Sequence, residues 1–201
     1  MNNRFRNSLI YNSALDYAKD IHKGQIRKGN NEPYIFHPIR VSRLVEKYMK
    51  DDRDVENYII AALLHDTAEA AYEKKEKVLN DIEKQFGSKV KNIVDNLTNE
   101  KAAVDILGKD QYLALKMINL NDKDLILKLC DILDNVSGLK DTSYSFNDKY
   151  SRETVFIINE LLLSKDLNST ELELMNKIMI ELKEVSYNKS ILLDFKKRLD
   201  L

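Results

Sequence analysis

The scarcity of helix-breaking residues is the feature that most limits what this chain can fold into. Its 201 residues include only 2 Pro and 5 Gly, so long helices propagate easily and tight turns are few. Apolar residues recur with helical spacing along almost the whole sequence, and no segment alternates in the manner of a strand for long. We therefore predict an all-helical fold, with a chain long enough to bury one hydrophobic core.

The apolar spacing also predicts where the helices lie. They are expected at residues 9–21, after Pro38, at 54–69, in two parts of 76–98 divided at Gly87, and at 110–119, 122–139, 152–164, 170–187 and 191–199. The segment 54–69 is apolar on every side through its middle, which is typical of a buried central helix. We expect one domain over residues 1–165, with 166–201 as a helical extension packed on it.

Charge and composition exclude several classes of protein. The 33 acidic and 32 basic residues give a net charge of -1, whereas duplex-binding proteins usually carry a basic excess. The single cysteine, Cys130, excludes an intrachain disulfide. The first residues lack the apolar core of a signal peptide, and no apolar run approaches the length of a membrane span. We expect a soluble, cytoplasmic protein that binds neither duplex nucleic acid nor membrane.

Polar residues end the most apolar segment of the chain. His65 and Asp66 follow directly after the apolar run, and Glu69 lies one turn further on. Residues four apart share a helical face, so His65 and Glu69 should project together, with Asp66 beside them. Burying these groups is costly unless a cation or close partners compensate. Taken alone, the pattern is also that of a helix end turning polar at the solvent.

A second polar stripe crosses another apolar helix. Lys128, Asp131 and Asn135 fall at positions i, i+3 and i+7, and Asp134 adds an acid next to them. Cys130 is expected on the opposite face as a small core residue. Alone, this stripe would be the solvated side of an amphipathic helix.

His37 supplies a third element, directly before Pro38. A single histidine there would more often be structural. Together, however, two His and two Asp residues drawn from three helices suit a divalent ion such as Mn²⁺ or Fe²⁺. The absence of thiolate partners argues against a closed structural zinc site. The predicted metal ligands are His37, His65, Asp66 and Asp131.

The order of these residues resembles the H…HD…D signature of the HD superfamily of metal-dependent phosphohydrolases, and implies an HD-domain helical bundle. The chain is also similar to the hydrolase domain of RelA/SpoT homologues over roughly residues 8–160. The matching segments are 17–18, 22–28, 33–38, 61–67, 86–87, 97–98 and 127–135. With no synthetase segment following in this sequence, we expect a protein of the stand-alone small alarmone hydrolase type.

The resemblance implies roles for further residues. Arg27 and Lys28 match the basic pair over the phosphates of the nucleotide, and Tyr150 is a weaker match to a substrate-contacting tyrosine. Glu69 matches the acid that orients or deprotonates the attacking water, and Asn135 the amide that helps to hold substrate and water. His22 resembles a structural histidine of the family and is not expected to be a ligand.

One departure from the family pattern affects the expected rate. Family members read Glu-Asp where this chain has Glu69-Ala70, so the second acid of the catalytic pair is missing. The resemblance implies Mn²⁺-dependent removal of the 3′-pyrophosphate from ppGpp or pppGpp, and we expect this loss to slow the reaction. Two alternatives stay open: an HD-type nucleotidase for another nucleotide, or a metal-bearing nucleotide sensor without turnover.

Overall fold

A computed structural model of the chain describes Phe5 and residues 8–188. Every regular element in this part of the chain is a helix, and its one extended pairing is an isolated antiparallel bridge between Ile26 and Pro33. The all-helical prediction is confirmed. The predicted helix at 191–199 lies outside the described residues. None of the helices within 8–188 is long and apolar enough to cross a membrane.

The chain divides into two compact units. Unit 1 comprises the described residues up to Arg27 together with Asn31–Asn99, and unit 2 comprises Lys28–Asn30 together with those from Glu100 onward. The helices of unit 1 are α1 (Leu9–Ile21), α2 (Phe36–Tyr48), α3 (Val55–Leu64), α4 (Thr67–Ala70), α5 (Lys75–Phe86) and α6 (Ser88–Leu97), with a 3₁₀ turn at Tyr72–Lys74. Those of unit 2 are α7 (Lys101–Leu107), α8 (Lys109–Asn119), α9 (Asp122–Ser137), α10 (Tyr144–Ser164) and α11 (Ser169–Val185), with a 3₁₀ turn at Leu139–Asp141.

Helix α3 is the centre of unit 1, as its composition predicts. It packs against α1, α2 and α6, and eight of its ten residues are buried. A continuous helix over 54–69 is nevertheless wrong, because α3 ends at Leu64 and α4 begins at Thr67. His65 and Asp66 occupy the junction, so His65 and Glu69 do not share the face of one helix.

Side chains at this junction compete with the helical hydrogen bonds. The Thr67 hydroxyl donates to the carbonyl of Leu64 at 2.6 Å, and Nδ1 of His65 lies 2.8 Å from the carbonyl oxygen of Ala62. Side chains that donate hydrogen bonds to nearby backbone carbonyls compete with the helical hydrogen bonds, so they favour helix ends over helix interiors. The apolar end of α3 is therefore joined to α4 by a corner that carries polar groups.

Helix α2 begins earlier than predicted. It starts at Phe36 rather than after Pro38, so Pro38 lies in the first turn. The N–H groups of a first turn have no partner within the helix, and a proline costs little there. His37 is consequently a helical residue, fully buried at the start of α2.

Unit 2 is built around α9 and α10. Helix α9 packs along α11, and α10 packs on α8. Cys130 of α9 is fully buried, as expected of a small core residue. Helix α11 follows the domain boundary that we place at residue 165, and that boundary stays a prediction. Helix α7 was not predicted, and none of its residues is buried.

Helix α10 begins at Tyr144, eight residues before the predicted start at Arg152. The reason is a buried polar residue, Asn147, which hides the apolar spacing. Its amide nitrogen donates to the carbonyls of Leu139 and Val185, each at 3.0 Å. Because those bonds satisfy it, an asparagine occupies a position that periodicity assigns to an apolar side chain.

Candidate metal centre

A short loop before α2 orients the aromatic side of the candidate centre. Ile26 pairs with Pro33 across this loop, and the backbone N–H of Tyr34 donates to the carbonyl of Gln25 at 2.9 Å. These backbone bonds fix Tyr34, and α2 starts two residues later. The ring of Tyr34 packs edge-on against that of His37, with centroids 5.6 Å apart.

Three predicted ligands of unit 1 converge on one point. Oδ2 of Asp66 lies 3.2 Å from Nε2 of His65 and 3.5 Å from Nε2 of His37. Both histidines are buried, whereas the Asp66 side chain is 19% exposed. The two imidazole rings meet edge to face with centroids 5.2 Å apart. The start of α2 and the corner after α3 thus direct two ring nitrogens at one carboxylate oxygen.

The tautomer of His65 follows from its backbone contact. A carbonyl oxygen can only accept a hydrogen bond, so Nδ1 of His65 carries a proton donated to Ala62. In a neutral ring, Nε2 then presents its lone pair toward Asp66. Metal-binding histidines use the same arrangement, with the second nitrogen donating to a carbonyl or a carboxylate.

The spacing of these atoms fits a shared divalent ion. Two ligand atoms at about 2.1 Å from one ion and about 90–110° apart lie about 3.0–3.4 Å from each other. The separations of 3.2 and 3.5 Å match this spacing closely. Two imidazole nitrogens and a carboxylate oxygen are also the donor types preferred by Mn²⁺, Fe²⁺ and Zn²⁺. The residues of unit 1 therefore suit a divalent cation.

His22 lies beside this cluster and plays a different part. Its ring is tilted over that of Tyr34 at a centroid distance of 4.8 Å, and Nδ1 lies 2.8 Å from Oε1 of Gln25. Burial lowers the pKa of His22, and the nearby His65 and His37 add to this, while Gln25 and Asp66 oppose it. His22 is thus a packed, neutral partner of the Tyr34 ring, which agrees with a structural role.

Glu69, the predicted catalytic acid, lies on α4. Its Oε1 accepts a hydrogen bond from the backbone N–H of Asn99 at 2.9 Å. Ala70 follows it, exposed, with its N–H donating to the carbonyl of Asp66 at 2.9 Å. The position at which the resemblance implies a second acid is therefore exposed and holds only a methyl group.

Asp131 lies within unit 2, in a network on α9. Its Oδ2 accepts from Nζ of Lys128 at 2.9 Å, and its Oδ1 accepts from Nδ2 of Asn135 at 2.7 Å. The polar stripe read from the sequence is therefore a mutually bonded group, and Asp131 itself is buried. An amide and an ammonium that hold a carboxylate in one orientation are typical neighbours of a ligating carboxylate. Lys128 had been assigned no role from the sequence.

The predicted basic pair is divided between the units. Arg27 belongs to unit 1, with its guanidinium 6.0 Å from the Tyr34 ring centroid. Lys28 belongs to unit 2, where its ammonium lies 4.9 Å above the ring of Phe146. Gly29 follows with φ +106°, and a Cβ there would lie 2.6 Å from the carbonyl oxygen of Asp141. Only glycine fits this close approach.

Tyr150 lies in an aromatic row on α10. Its ring stacks on that of Phe146 at a centroid distance of 6.1 Å, with the ammonium of Lys109 5.7 Å away. Lys28 covers the other aromatic member of this row. Aromatic faces accompanied by lysines are suited to bases and phosphates.

Comparison with known proteins identifies the family. The family model described as HD domain matches residues 14–159. This chain is an HD-domain protein. The match covers the helices from α1 into α10 and includes the signature residues His37, His65, Asp66 and Asp131.

The HD domain has relatives among alarmone hydrolases. It is 35% identical over 133 residues to guanosine-3′,5′-bis(diphosphate) 3′-pyrophosphohydrolase MESH1 of Xenopus tropicalis, covering 63% of this chain and 68% of that one. The Drosophila melanogaster MESH1 is 30% identical over 149 residues, covering 73% and 76%. The enzyme of the same chemical name from Aquifex aeolicus is 34% identical over 147 residues, or 72% of this chain. The chain spans about a fifth of the length of that bacterial relative, 20%.

A solved structure agrees with these relatives. It is described as a metazoan ortholog of SpoT that hydrolyzes ppGpp and plays a role in starvation responses. The two chains are 26% identical, with a TM-score of 0.69 over 87% of this chain and 96% of the other. The predicted HD-domain helical bundle and the predicted RelA/SpoT kinship are confirmed.

Proposed function

We propose that this HD-domain protein is a divalent-metal-dependent (p)ppGpp 3′-pyrophosphohydrolase that uses Mn²⁺ in the cytoplasm. The observation that carries the proposal is the convergence of the His37 and His65 Nε2 atoms on Oδ2 of Asp66. It occurs in a chain whose relatives include MESH1 proteins named for that activity. The products would be GDP or GTP and pyrophosphate.

The proposed ligands are His37, His65, Asp66 and Asp131. The first three are supported by their spacing in unit 1, and Asp131 by its place in the H…HD…D order. The hydrogen bonds from Lys128 and Asn135 to Asp131 also favour a fixed carboxylate. The donor set suits Mn²⁺ or Fe²⁺. A bound divalent cation would lower the pKa of water towards about 7 and polarise a phosphoryl oxygen.

Glu69 is proposed to accept the proton of the attacking water. Its carboxylate is oriented by the Asn99 N–H, which engages only Oε1. A positioned acid–base group contributes about 10²–10⁴-fold to a rate. Asn135 is proposed to orient Asp131 and to help hold the substrate. Its amide already donates a hydrogen bond to Asp131.

Arg27, Lys28 and Tyr150 are proposed to bind the nucleotide. A guanidinium can bond phosphate oxygens in a bidentate manner, whereas an ammonium acts as a point charge. Lys28 lies over Phe146, which stacks on Tyr150, so one cation already accompanies the aromatic row. This combination supports a phosphorylated nucleotide as the substrate class.

A panel assay tests the proposal. The purified protein, stripped of metal and supplied with Mn²⁺, would be offered ppGpp, pppGpp, ppApp and ordinary nucleotides, with release of pyrophosphate and GDP or GTP measured. The proposal expects Mn²⁺-dependent release from ppGpp or pppGpp. Release from other nucleotides alone would replace the substrate assignment by a different HD-type phosphohydrolase.

A second candidate function follows from Ala70. The exposed methyl group of Ala70 can neither hold the attacking water nor share its proton. This favours slow turnover or none. In that case the protein would be a metal-bearing nucleotide sensor. Tight binding of ppGpp by equilibrium dialysis, without product after prolonged incubation with Mn²⁺, would support the sensor.

A further inference from the structure

Tyr34 shares the carboxylate oxygen on which the two histidines converge. Its hydroxyl donates to Oδ2 of Asp66 at 2.5 Å, and Oδ2 is the atom that lies 3.2 Å from His65 and 3.5 Å from His37. A hydrogen bond of this length between a hydroxyl and a carboxylate is in the strong, charge-assisted class. Three side chains from the loop, α2 and the α3–α4 corner therefore meet at one oxygen.

The same ring is packed on several sides within unit 1. His22 lies over it at 4.8 Å, His37 meets its edge at 5.6 Å, and the Arg27 guanidinium is 6.0 Å from its centroid. These contacts, with the backbone bond from Tyr34 to Gln25, restrict where the hydroxyl can lie. Tyr34 is thus a rigid donor rather than a surface tyrosine that happens to reach an acid.

We infer that Tyr34 is a positioning residue that holds Asp66 in its metal-binding orientation and ties the metal centre to the loop that carries Arg27. The inference rests on the proposed metal site. Asp66 is the most exposed of the three converging ligands of unit 1, so its side chain has the greatest freedom to turn away. The Tyr34 hydroxyl removes this freedom.

The ring and the hydroxyl of Tyr34 have separable consequences. Tyr34→Phe keeps the ring that His22, His37 and Arg27 contact and removes only the bond to Asp66. Tyr34→Leu removes both. Loss of an outer partner of a metal ligand typically lowers metal affinity by about 10–100-fold. We expect that loss in both variants, and an additional rise in KM for the nucleotide only in Tyr34→Leu, measured at saturating metal.

Metal affinity is measured on the full chain without substrate. Mn²⁺ is titrated into the metal-free protein and followed by calorimetry, for the natural protein, Tyr34→Phe and a matched control, Tyr112→Phe. Tyr112 also has a hydroxyl in a hydrogen bond, accepting from the Glu100 N–H at 2.9 Å, but no carboxylate is involved. Weaker binding in Tyr34→Phe with unchanged binding in Tyr112→Phe is expected. Equal Mn²⁺ affinity in all three proteins overturns the inference.

Two further outcomes separate this inference from the proposed function. If the natural protein binds no divalent ion, the metal site fails and this inference fails with it. If it binds the ion but turns over no ppGpp, the affinity comparison still decides the role of Tyr34. Should Tyr34→Phe lose its helical circular dichroism, the natural protein is tested by proton NMR. A far-downfield hydroxyl resonance that disappears in Asp66→Ala is expected, and its absence overturns the inference.

Discussion

The backbone N–H of Asn99 donates to Oε1 of Glu69 at 2.9 Å. Asn99 follows the end of α6, whereas Glu69 lies on α4, so two elements of unit 1 fix one carboxylate. Because Oε1 of Glu69 is already held, Oε2 can accept a proton with little further loss of side-chain freedom. This arrangement suits a general base.

Glu69→Gln should separate the proton-accepting role of Glu69 from its structural one. A glutamine retains a carbonyl oxygen for the Asn99 N–H and loses the basic carboxylate. We expect kcat for ppGpp hydrolysis to fall by about 10²–10⁴-fold, with Mn²⁺ content and the thermal unfolding midpoint unchanged. A variant with the natural kcat would exclude Glu69 as the base.

The proposed ligands predict one divalent ion per chain. His65→Ala and Asp131→Ala should each abolish Mn²⁺ occupancy, measured by mass spectrometry of the dialysed protein. The matched control is His22→Gln, because His22 is also a buried histidine beside Tyr34 but is not proposed as a ligand. Full metal content in either ligand variant would remove that residue from the set, and loss of metal in His22→Gln would show that the packing of His22 on Tyr34 also supports the site.

Arg27→Ala and Lys28→Ala should raise KM for ppGpp and leave metal content unaltered, since each removes a positive charge proposed to face phosphate. They are tested separately because they lie in different units, Arg27 near Tyr34 and Lys28 over Phe146. Lys23→Ala, on an exposed lysine of the same region, is the control. Unchanged KM in both variants would indicate another route for the nucleotide.

Ala70→Asp tests the missing acid. The position is exposed and adjacent to Glu69, so a carboxylate can be added without overpacking the core. We expect a clear gain in kcat, up to the about 10²–10⁴-fold of an acid–base group, with unchanged Mn²⁺ affinity. Ala70→Asn, of similar size and uncharged, should give no such gain. An equal response of both variants would mean that the second acid has no part in this protein.

Glu171 predicts a pH dependence of stability in unit 2. It is fully buried in a capping box with Asn168 at the start of α11. Burial raises the pKa of Glu171 above the ordinary 4.5, nearby Asp122 adds to this, and the Asn168 N–H and Lys165 oppose it. The folded state therefore holds the Glu171 proton more tightly than the unfolded state does. The resulting contribution to the free energy of unfolding is lost as the pH rises through the folded-state pKa.

Glu171→Gln keeps the acceptor for the Asn168 N–H and cannot ionise. Its urea midpoint should match that of the natural protein near about pH 4 and exceed it near about pH 7. Glu173→Gln, on an exposed residue of the same helix, serves as the control for a change in net charge. A constant difference between the Glu171→Gln and natural midpoints across this range would contradict the prediction.

The sequence predicted helices where apolar spacing controls burial and failed where polar groups replace it. Helices α5 and α6 meet at Gly87, as predicted, because its φ of +90° strongly favours glycine. The corner at His65-Asp66 was missed, since side-chain bonds to the carbonyls of Ala62 and Leu64 leave no periodic signal. The early start of α10 was hidden in the same way by Asn147.

The candidate site was predicted through its residue types, and its supporting contacts were not. Motif order selected His37, His65 and Asp66, which the structure brings together in unit 1. Tyr34 and Lys128 received no role, because a hydroxyl or an ammonium that bonds a carboxylate depends on positions set only in three dimensions. The tyrosine lies within the matching segment 33–38, which was the available signal.

The close approach of Gly29 to Asp141 bears on how relatives of this protein should be compared. Any relative with a side chain at this position must have displaced the turn around Asp141, since a Cβ would lie 2.6 Å from its carbonyl oxygen. A glycine directly after the Arg-Lys pair therefore indicates, from sequence alone, that the backbone approaches the Asp141 turn as closely as it does here. Placing Arg27 and Lys28 in another protein would transfer their charges without the close approach of Gly29 to Asp141. The proposed phosphate binding is therefore not expected to transfer with these two residues alone.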